Sequence, residues 1–351
     1  MRVFNYATLK DKKWDNEIIG YIAQIHEYKA KQQLFAKQKP QELEKLVEIA
    51  RVQSTQASNE IEGIRTTSTR LKQLLSQQTT PRNRAEEEIA GYRDALNIIH
   101  ENYEYIPITA NYILQLHKTL YSHSSKDIGG KYKNVQNYIT ATDMQGNNYT
   151  LFTPLAPFET ATAIDNICDE FNRAMSEGQV DPLILIPIFI HDFLCIHPFL
   201  DGNGRISRLL TTLLLYRCGY LVGKYISLEA KINKNKDLYY DALVSAQQDW
   251  HNGADNPEDF IKYLLGTIIA AYRDFEQRID IISDNATAID IVKKTIDTIL
   301  GKFNKAKIIE LCPTLGIKSI ESALKKLCDS DFLQKHGTGK NTSYTKINKV
   351  Q

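Results

Sequence analysis

"PLILIPIFIHDFLCIHPFLDGNGRISRLLTTLLLY", residues 182 to 216, holds two apolar runs joined by a polar loop. The first run is apolar on every side, the mark of a helix buried all round. Its length approaches a membrane span, but Pro187, His191, Asp192 and His197 interrupt it. A buried helix feeding a functional loop is therefore expected, and no membrane segment. The second run, continuing to "YRCGY", is expected to stay helical to about Gly219.

The junction is "HPFLDGNGRISR", residues 197 to 208. Gly202 and Gly204 tolerate backbone angles that other residues avoid, so "DGNG" can form a nest of inward-pointing N–H groups. A helix starting near Gly204 aims its positive end at the same point. Arg205 and Arg208 lie one helical turn apart and can face the nest together. The implied ligand is a polyphosphate held by guanidinium forks. Asp201 beside such an anion calls for a cation between them, which assigns Mg²⁺ to its carboxylate. His197 titrates near neutrality and is suited to take a proton from an incoming hydroxyl. Phe199 is expected to anchor the loop in the core. Taken singly, each residue has a plainer structural reading, and D-G-N-G is often only a turn. The combination is what points to chemistry. The loop has no G-x-x-x-x-G-K, and a helix rather than a strand precedes it, so it is neither a Walker A nor a Rossmann turn.

The wider composition is that of an ordinary soluble globular chain: 351 residues, 42% hydrophobic, 24% charged, net charge +1. That balance gives no global attraction to nucleic acid or anionic lipid. The five cysteines are scattered and never paired as C-x-x-C, which fits a reducing, cytoplasmic setting rather than a disulfide framework or zinc site. "MRVFNYATLKDKKW" lacks the apolar core of a signal peptide.

Helical periodicity dominates elsewhere. "WDNEIIGYIAQIHEYKAKQQLF", "PQELEKLVEIARVQSTQASNEIEG", "AEEEIAGYRDALNIIHENY", "TANYILQLHKTLYSH", "FETATAIDNICDEFNRAM", "NKDLYYDALVSAQQDW" and "PEDFIKYLLGTIIAAYRDFEQRI" all read as helices. The exception is "NVQNYITATDMQGNNYTLFTP", residues 134 to 154, expected to be a hairpin around Gly-Asn-Asn. Near residues 283–288 polarity rises, and the remainder reads as helix, turn, helix and two short strands around "HGTGKN", with residues 318–330 as the second helix. That is the pattern of a winged helix-turn-helix. The expected fold is mainly α: an N-terminal helical region (1–80), a helical core domain with a β-hairpin (81–282), and a winged-helix tail (283–351).

The loop resembles the Fic family signature H-x-F-x-[DE]-G-N-G-R-x-x-R at His197, Phe199, Asp201, Gly202, Asn203, Gly204, Arg205 and Arg208. Eight fixed identities make a chance match very improbable. "ILQLHKTLY", "GGKYKNVQNYI" and "YYDALVSAQQDW" resemble further family segments, extending the resemblance over roughly residues 85 to 280. It implies a helical Fic bundle that transfers AMP from ATP to a Ser, Thr or Tyr hydroxyl of a target protein and releases pyrophosphate. On that resemblance His197 is the base and Asp201 holds Mg²⁺. Asn203 and the Gly202 and Gly204 amides cradle phosphate oxygens, and Arg205 and Arg208 bind the outer phosphates. Tyr239 and Tyr240 match an aromatic pair near the adenine. Gln247 stands where related members have a nucleotide-contacting asparagine. The hairpin matches the flap that aligns a target segment, with Thr150, Leu151, Phe152 and Thr153 as its ATP-side residues. "SNEIEG", residues 58 to 63, fits the inhibitory pattern [ST]-x-x-x-E-[GN], implying that Ser58 and Glu62 engage Arg208 and withhold it from ATP. Family members with this glutamate also remove AMP from modified targets.

The tail carries Lys302, Lys305, Lys307, Lys318, Lys325, Lys326, Lys335, Lys340, Lys346 and Lys349 but no arginine. This leaves open DNA contact or a protein-interaction module, the lack of arginine disfavouring guanine readout. Two rival functions follow: a nucleotide-responsive DNA-binding regulator, and a Fic-type transferase of another phosphate-containing group. The resemblance also allows a homodimer.

Overall fold

The computed structural model describes residues 2–38, 40–143, 145–281, 287–299, 301–313, 315–339 and 342–347. The chain divides into two compact units, residues 1–33 with 50–272, and residues 34–49 with 273–351. The N-terminal residues thus form no unit of their own. Residues 50–80 fall in the same unit as the glycine loop, and Ala50, Ala57, Ser58, Asn59 and Ile61 of the helix Pro40–Ile61 are buried there. The expected boundary at 282/283 lies outside the described residues.

Helices α1 (Asn16–Gln38), α2 (Pro40–Ile61), α3 (Ser68–Leu75), α4 (Arg84–Asn102) and α5 (Ala110–Leu120) precede the hairpin β1 (Ile139–Thr142) and β2 (Asn148–Phe152). There follow α6 (Pro157–Glu177), α7 (Pro182–Ile196), α8 (Asn203–Arg217), α9 (Leu228–Lys234), α10 (Lys236–Ala246) and α11 (Glu258–Ile281). Local chemistry sets several boundaries. The Asn83 side chain accepts from Glu86 N–H at 3.0 Å to open α4, and Asp181 accepts from Leu183 N–H at 2.8 Å to open α7, with Pro182 in the first turn. Gly178 ends α6 in the left-handed conformation.

In the first unit α7 is the central element, every residue from Leu183 to Ile196 being buried. It packs against α6 and α8, and α8 packs against α4 and α5. Its Asp192, 1% exposed, is held by Tyr6 Oη and Trp250 Nε1, each at 2.7 Å, with Arg2 at 3.5 Å. Residues 2–6 thereby strap onto the floor of the bundle. No helix among the described residues is long and apolar enough to cross a membrane.

The hairpin is shorter than 134–154. Residues 134–138 are not strand, because Asn137 is committed to the glycine loop. The turn starts at Asp143, whose carboxylate accepts the N–H groups of Gln145 and Asn147, and Gly146 takes φ +86°.

The second unit contains α12 (Ala288–Asp297), β3 (Phe303–Asn304), α13 (Lys305–Leu311), α14 (Ile317–Asp329), β4 (Leu333–His336) and β5 (Ser343–Lys346). The strands form an antiparallel sheet in the order β3-β5-β4. Ile296, Phe303, Ile308, Ile320, Leu324 and Leu333 are among its core residues. Both strands around "HGTGKN" are present, although Lys340 and Asn341 in that turn lie outside the described residues.

Candidate functional site

The carboxyl end of α7 and the amino end of α8 meet at a cavity of about 250 Å³. His197 caps α7 in the left-handed conformation, φ 50° and ψ 63°. Gly202, at φ 86°, caps α8 and turns the chain back. The first N–H groups of α8 have no acceptor within the helix, and Gly202, Asn203 and Gly204 at this end line the cavity.

His197 Nδ1 lies 3.1 Å from Leu194 O. A carbonyl only accepts, so Nδ1 carries the proton and Nε2 keeps its lone pair. Burial pushes the imidazole pKa down to about 4, Lys133 adding to the effect, so the ring is neutral at pH 7 and able to accept a proton.

Phe199 is fully buried and stacks on His117, ring centroids 3.7 Å apart at 3°. His117 accepts Gly130 N–H at Nδ1, 3.0 Å, so its Nε2–H donates to Asp201 O, also 3.0 Å. Burial lowers the His117 pKa to about 4, keeping it neutral. This histidine fixes the loop from α5, a role that the sequence did not signal.

Arg208 is held by Ser58 and Glu62 at the end of α2. Its Nε donates to Ser58 Oγ at 2.8 Å, and its Nη2 donates to Ser58 O at 2.9 Å and Glu62 Oε1 at 2.8 Å. Burial works against ionised Glu62, but Arg208 more than offsets it and holds the carboxyl below its ordinary range. Gly63, at φ +76°, stops α2 just past Glu62, with Ile64 N–H returning to Asn59 O at 2.9 Å. The Glu62 carboxylate lies against Gly204, where an added Cβ would stand 2.4 Å from Oε1. Glycine is thus required there for the carboxylate to approach.

Arg205 and Asn203 turn their side chains away from the expected phosphate site. Arg205 does not line the cavity: it is 1% exposed and pairs with Glu88 at 2.6 Å, Tyr121 Oη at 2.9 Å and Asp201 at 3.5 Å. Its neighbour Glu88 on α4 turns it to the back of the loop, where it braces Asp201. Asn203 spends its side chain inside the loop, accepting from Phe199 N–H at 2.9 Å and donating to Phe199 O at 2.7 Å. Its amide is therefore taken up in closing the turn.

Asp201 is partly exposed, with Arg84 at 3.3 Å and Lys126 at 3.5 Å. Burial opposes its charge, but Arg205 and Lys126 keep its pKa lowered. No cluster of three or more metal-ligating side chains occurs among the described residues.

Glu62, His197, Asp201, Gly202, Asn203, Gly204, Arg208, Tyr239, Tyr240, Gln247 and Leu151 line the cavity. Ser58 is buried behind Arg208. In the hairpin Thr140 pairs with Thr150 and Ile139 with Phe152, leaving Leu151 as the extra residue of a bulge that reaches the cavity. Thr150 and Thr153 do not line it, and Phe152 packs on Trp250 and His251 instead. The sequence reading missed the apolar wall of Ile139, Leu194, Leu200, Leu243 and Val244, together with His191 and Cys195. Only the i, i+3, i+4 spacing of Tyr239, Tyr240, Leu243, Val244 and Gln247 signalled part of it.

The Fic/DOC family model matches residues 107–215, which span this loop and its two helices. The chain carries a Fic domain. A protein adenylyltransferase Fic from Drosophila willistoni is 31% identical over 134 residues, 38% of this chain and 25% of that protein. The protein adenylyltransferase fic-1 of Caenorhabditis elegans is 27% identical over 140 residues, 39% of this chain and 25% of that protein. The chain thus matches about a quarter of the length of these relatives. A Fic family protein from Desulfovibrio desulfuricans has the same fold over 97% of this chain and 98% of its own, TM-score 0.63 at 19% identity. A Fic-domain signalling protein from Bacteroides thetaiotaomicron matches 77% of this chain and 99% of its own, TM-score 0.59 at 23% identity.

Proposed function

We propose that the Fic domain transfers AMP from ATP to a hydroxyl of a target protein. The supporting observation is the neutral His197, with Nε2 unbonded among the described residues, at a cavity that is also lined by the amino end of α8 and Arg208. The attacking oxygen loses its proton to Nε2 as the O–Pα bond forms. The bond from Pα to the bridging oxygen breaks, and pyrophosphate leaves. Phosphoryl chemistry of this kind needs positioning and charge neutralisation more than covalent help. Names of relatives that include protein adenylyltransferase support the same reading.

Mg²⁺ fits the donor set. Asp201 stays ionised and offers hard oxygens, and Mg²⁺ commonly takes one or two carboxylates, the remaining sites being phosphate oxygens and water. When bound, the ion would neutralise phosphate charge; Arg84 and Lys126 would give way at Asp201. The apolar wall with Tyr240 and Gln247 suits a nucleobase.

Glu62 is read as a brake, since it occupies the cation needed for the outer phosphate and puts a negative charge beside the α8 amino end. The tail is read as a winged helix on its element order and sheet order. Lys305, Lys307 and Lys346 are paired with Glu321, Glu310 and Asp297, which favours protein contact over a phosphate backbone. Loss of nucleotide-dependent binding to random duplex DNA on deleting residues 287–351 would speak for DNA instead.

Incubation with α-labelled ATP and Mg²⁺, with intact mass as second readout, tests the activity. One AMP per chain or per added target, absent in His197→Ala, is expected. Labelling that survives His197→Ala would refute the role of the base.

A further inference from the structure

The segment between α5 and the hairpin does more than lead into the flap. Lys133 is 3% exposed. Its Nζ donates to Ile196 O at 3.0 Å and Asn137 Oδ1 at 2.9 Å, and its backbone N–H donates to Pro198 O at 2.8 Å. Asn137 Nδ2 donates to His197 O at 3.1 Å and Phe199 O at 3.0 Å. Four successive carbonyls, 196 to 199, are thus taken by two residues four positions apart.

The last carbonyls of a helix have no partner within it and carry the negative end of its dipole. Here the chain leaves α7 through a histidine at φ 50°, a conformation that costs a non-glycine residue about 1–2 kcal/mol. Something must hold it. Asn203 closes the far side of the loop, but none of its bonds reaches residues 196 to 198.

We propose that Lys133 and Asn137 are positioning residues for His197, fixing the base in its left-handed conformation through these four carbonyls. The Lys133 ammonium, held on the carbonyl of the residue before His197, also disfavours the imidazolium. The proposal rests on His197 acting as the base. Besides burial and the Leu194 carbonyl, two charged groups act on the imidazole: Lys133 opposes its protonation and Glu62 favours it. Lys133 itself is lowered by burial to about 8, so it remains charged at pH 7.

The test uses the full chain carrying Glu62→Gly, so that Glu62 enters neither the rate nor the titration. Lys133→Met, Lys133→Arg and Asn137→Ala are compared for kcat, KM for ATP, and the acid limb of the pH–rate profile. The His197 pKa is followed in parallel by NMR on histidine-labelled protein. Lys133→Met is expected to lower kcat about 10- to 100-fold with little change in KM, as a slightly misplaced base does, and to move both the acid limb and the His197 titration to higher pH. Lys133→Arg should restore the titration. Asn137→Ala, which removes no charge, should lower kcat while leaving the titration in place. An unchanged His197 titration in folded Lys133→Met overturns the electrostatic part, and unchanged kcat in both Lys133→Met and Asn137→Ala overturns the positioning. If His197→Ala transfers AMP as well as its parent, the reading of the base fails instead, while the NMR titration still decides what Lys133 does to the ring.

Discussion

Removing the Glu62 side chain is the perturbation that separates a brake from a bystander. In the structure Glu62 Oε1 accepts from Arg208 Nη2 at 2.8 Å, and the carboxylate is 32% exposed. A hydrogen bond between charged groups contributes about 1.5–3 kcal/mol, and partial exposure places this one toward the lower end. Taking about 1.5–2 kcal/mol, at 1.36 kcal/mol per tenfold, Glu62→Gly should raise the fraction of chains with a free Arg208 by about 10- to 30-fold. Ser58 still holds Arg208 at Nε and, through its carbonyl, at Nη2, so the guanidinium keeps its place while one Nη2 proton opens to the ligand. Glu62 lies just past the end of α2, so glycine there escapes the penalty of a helix interior and should change Tm little. Glu62→Gln, which keeps a hydrogen-bonding group but loses the charge, should give a smaller gain. The assay is the initial rate of label transfer from α-labelled ATP at matched concentrations of folded protein. Equal rates for wild type and Glu62→Gly would refute the argument that this ion pair withholds Arg208.

Other outcomes follow from the same geometry. Because a Cβ at Gly204 would stand 2.4 Å from Glu62 Oε1, Gly204→Ala should lower the Tm of the wild type but much less that of Glu62→Gly, a coupling of order 1 kcal/mol in a double-mutant cycle; strict additivity would count against that contact. Lys236 donates to Ile61 O at the end of α2 and lies 5.5 Å over the Tyr240 ring, so if Glu62 acts as the proposed brake Lys236→Met should loosen the turn that carries it and raise basal transfer a few-fold, by an order-of-magnitude argument from one lost bond to a charged donor. That gain should vanish in Glu62→Gly, and a loss of rate in the parent would sink the idea. Stability should fall as pH drops from about 6.5 toward 4. His100, His117, His191 and His197 are lowered by burial to about 3, 4, 4 and 4, so the unfolded chain takes protons that the native state refuses. Each contributes a loss on the order of 1–2 kcal/mol by pH 5. Asp192, raised to about 6 by burial, acts in the opposite sense but is one group against four. A Tm that holds or rises between pH 7 and 5 would contradict these burials.

Much of the fold was legible because its signals are local. An apolar run on all faces marks α7, Gly63 and Gly219 mark helix ends, and Gly202 with Gly204 marks the turn into α8. Short elements escaped for the same reason. α3 and α9 are too brief for periodicity, and α12 was announced only by the Thr287–Asp290 capping box. The loop residues were legible as a set because a titratable ring, a carboxylate, a glycine turn and two cations fall within twelve positions. Ser58 and Glu62 were legible as i, i+4 neighbours, but what they face was not.

Which way each side chain turns was decided by partners far along the chain. Arg205 and Arg208 are equivalent by spacing, yet Glu88 on α4 draws one behind the loop while Ser58 and Glu62 on α2 hold the other at the cavity. Asn203 is drawn inward by the Phe199 backbone, and His117 reaches Asp201 across 84 residues. Residue type and short-range spacing determine which groups a loop can offer. Direction and protonation state depend on burial and on charges brought up by other helices, and those exist only once the chain has packed.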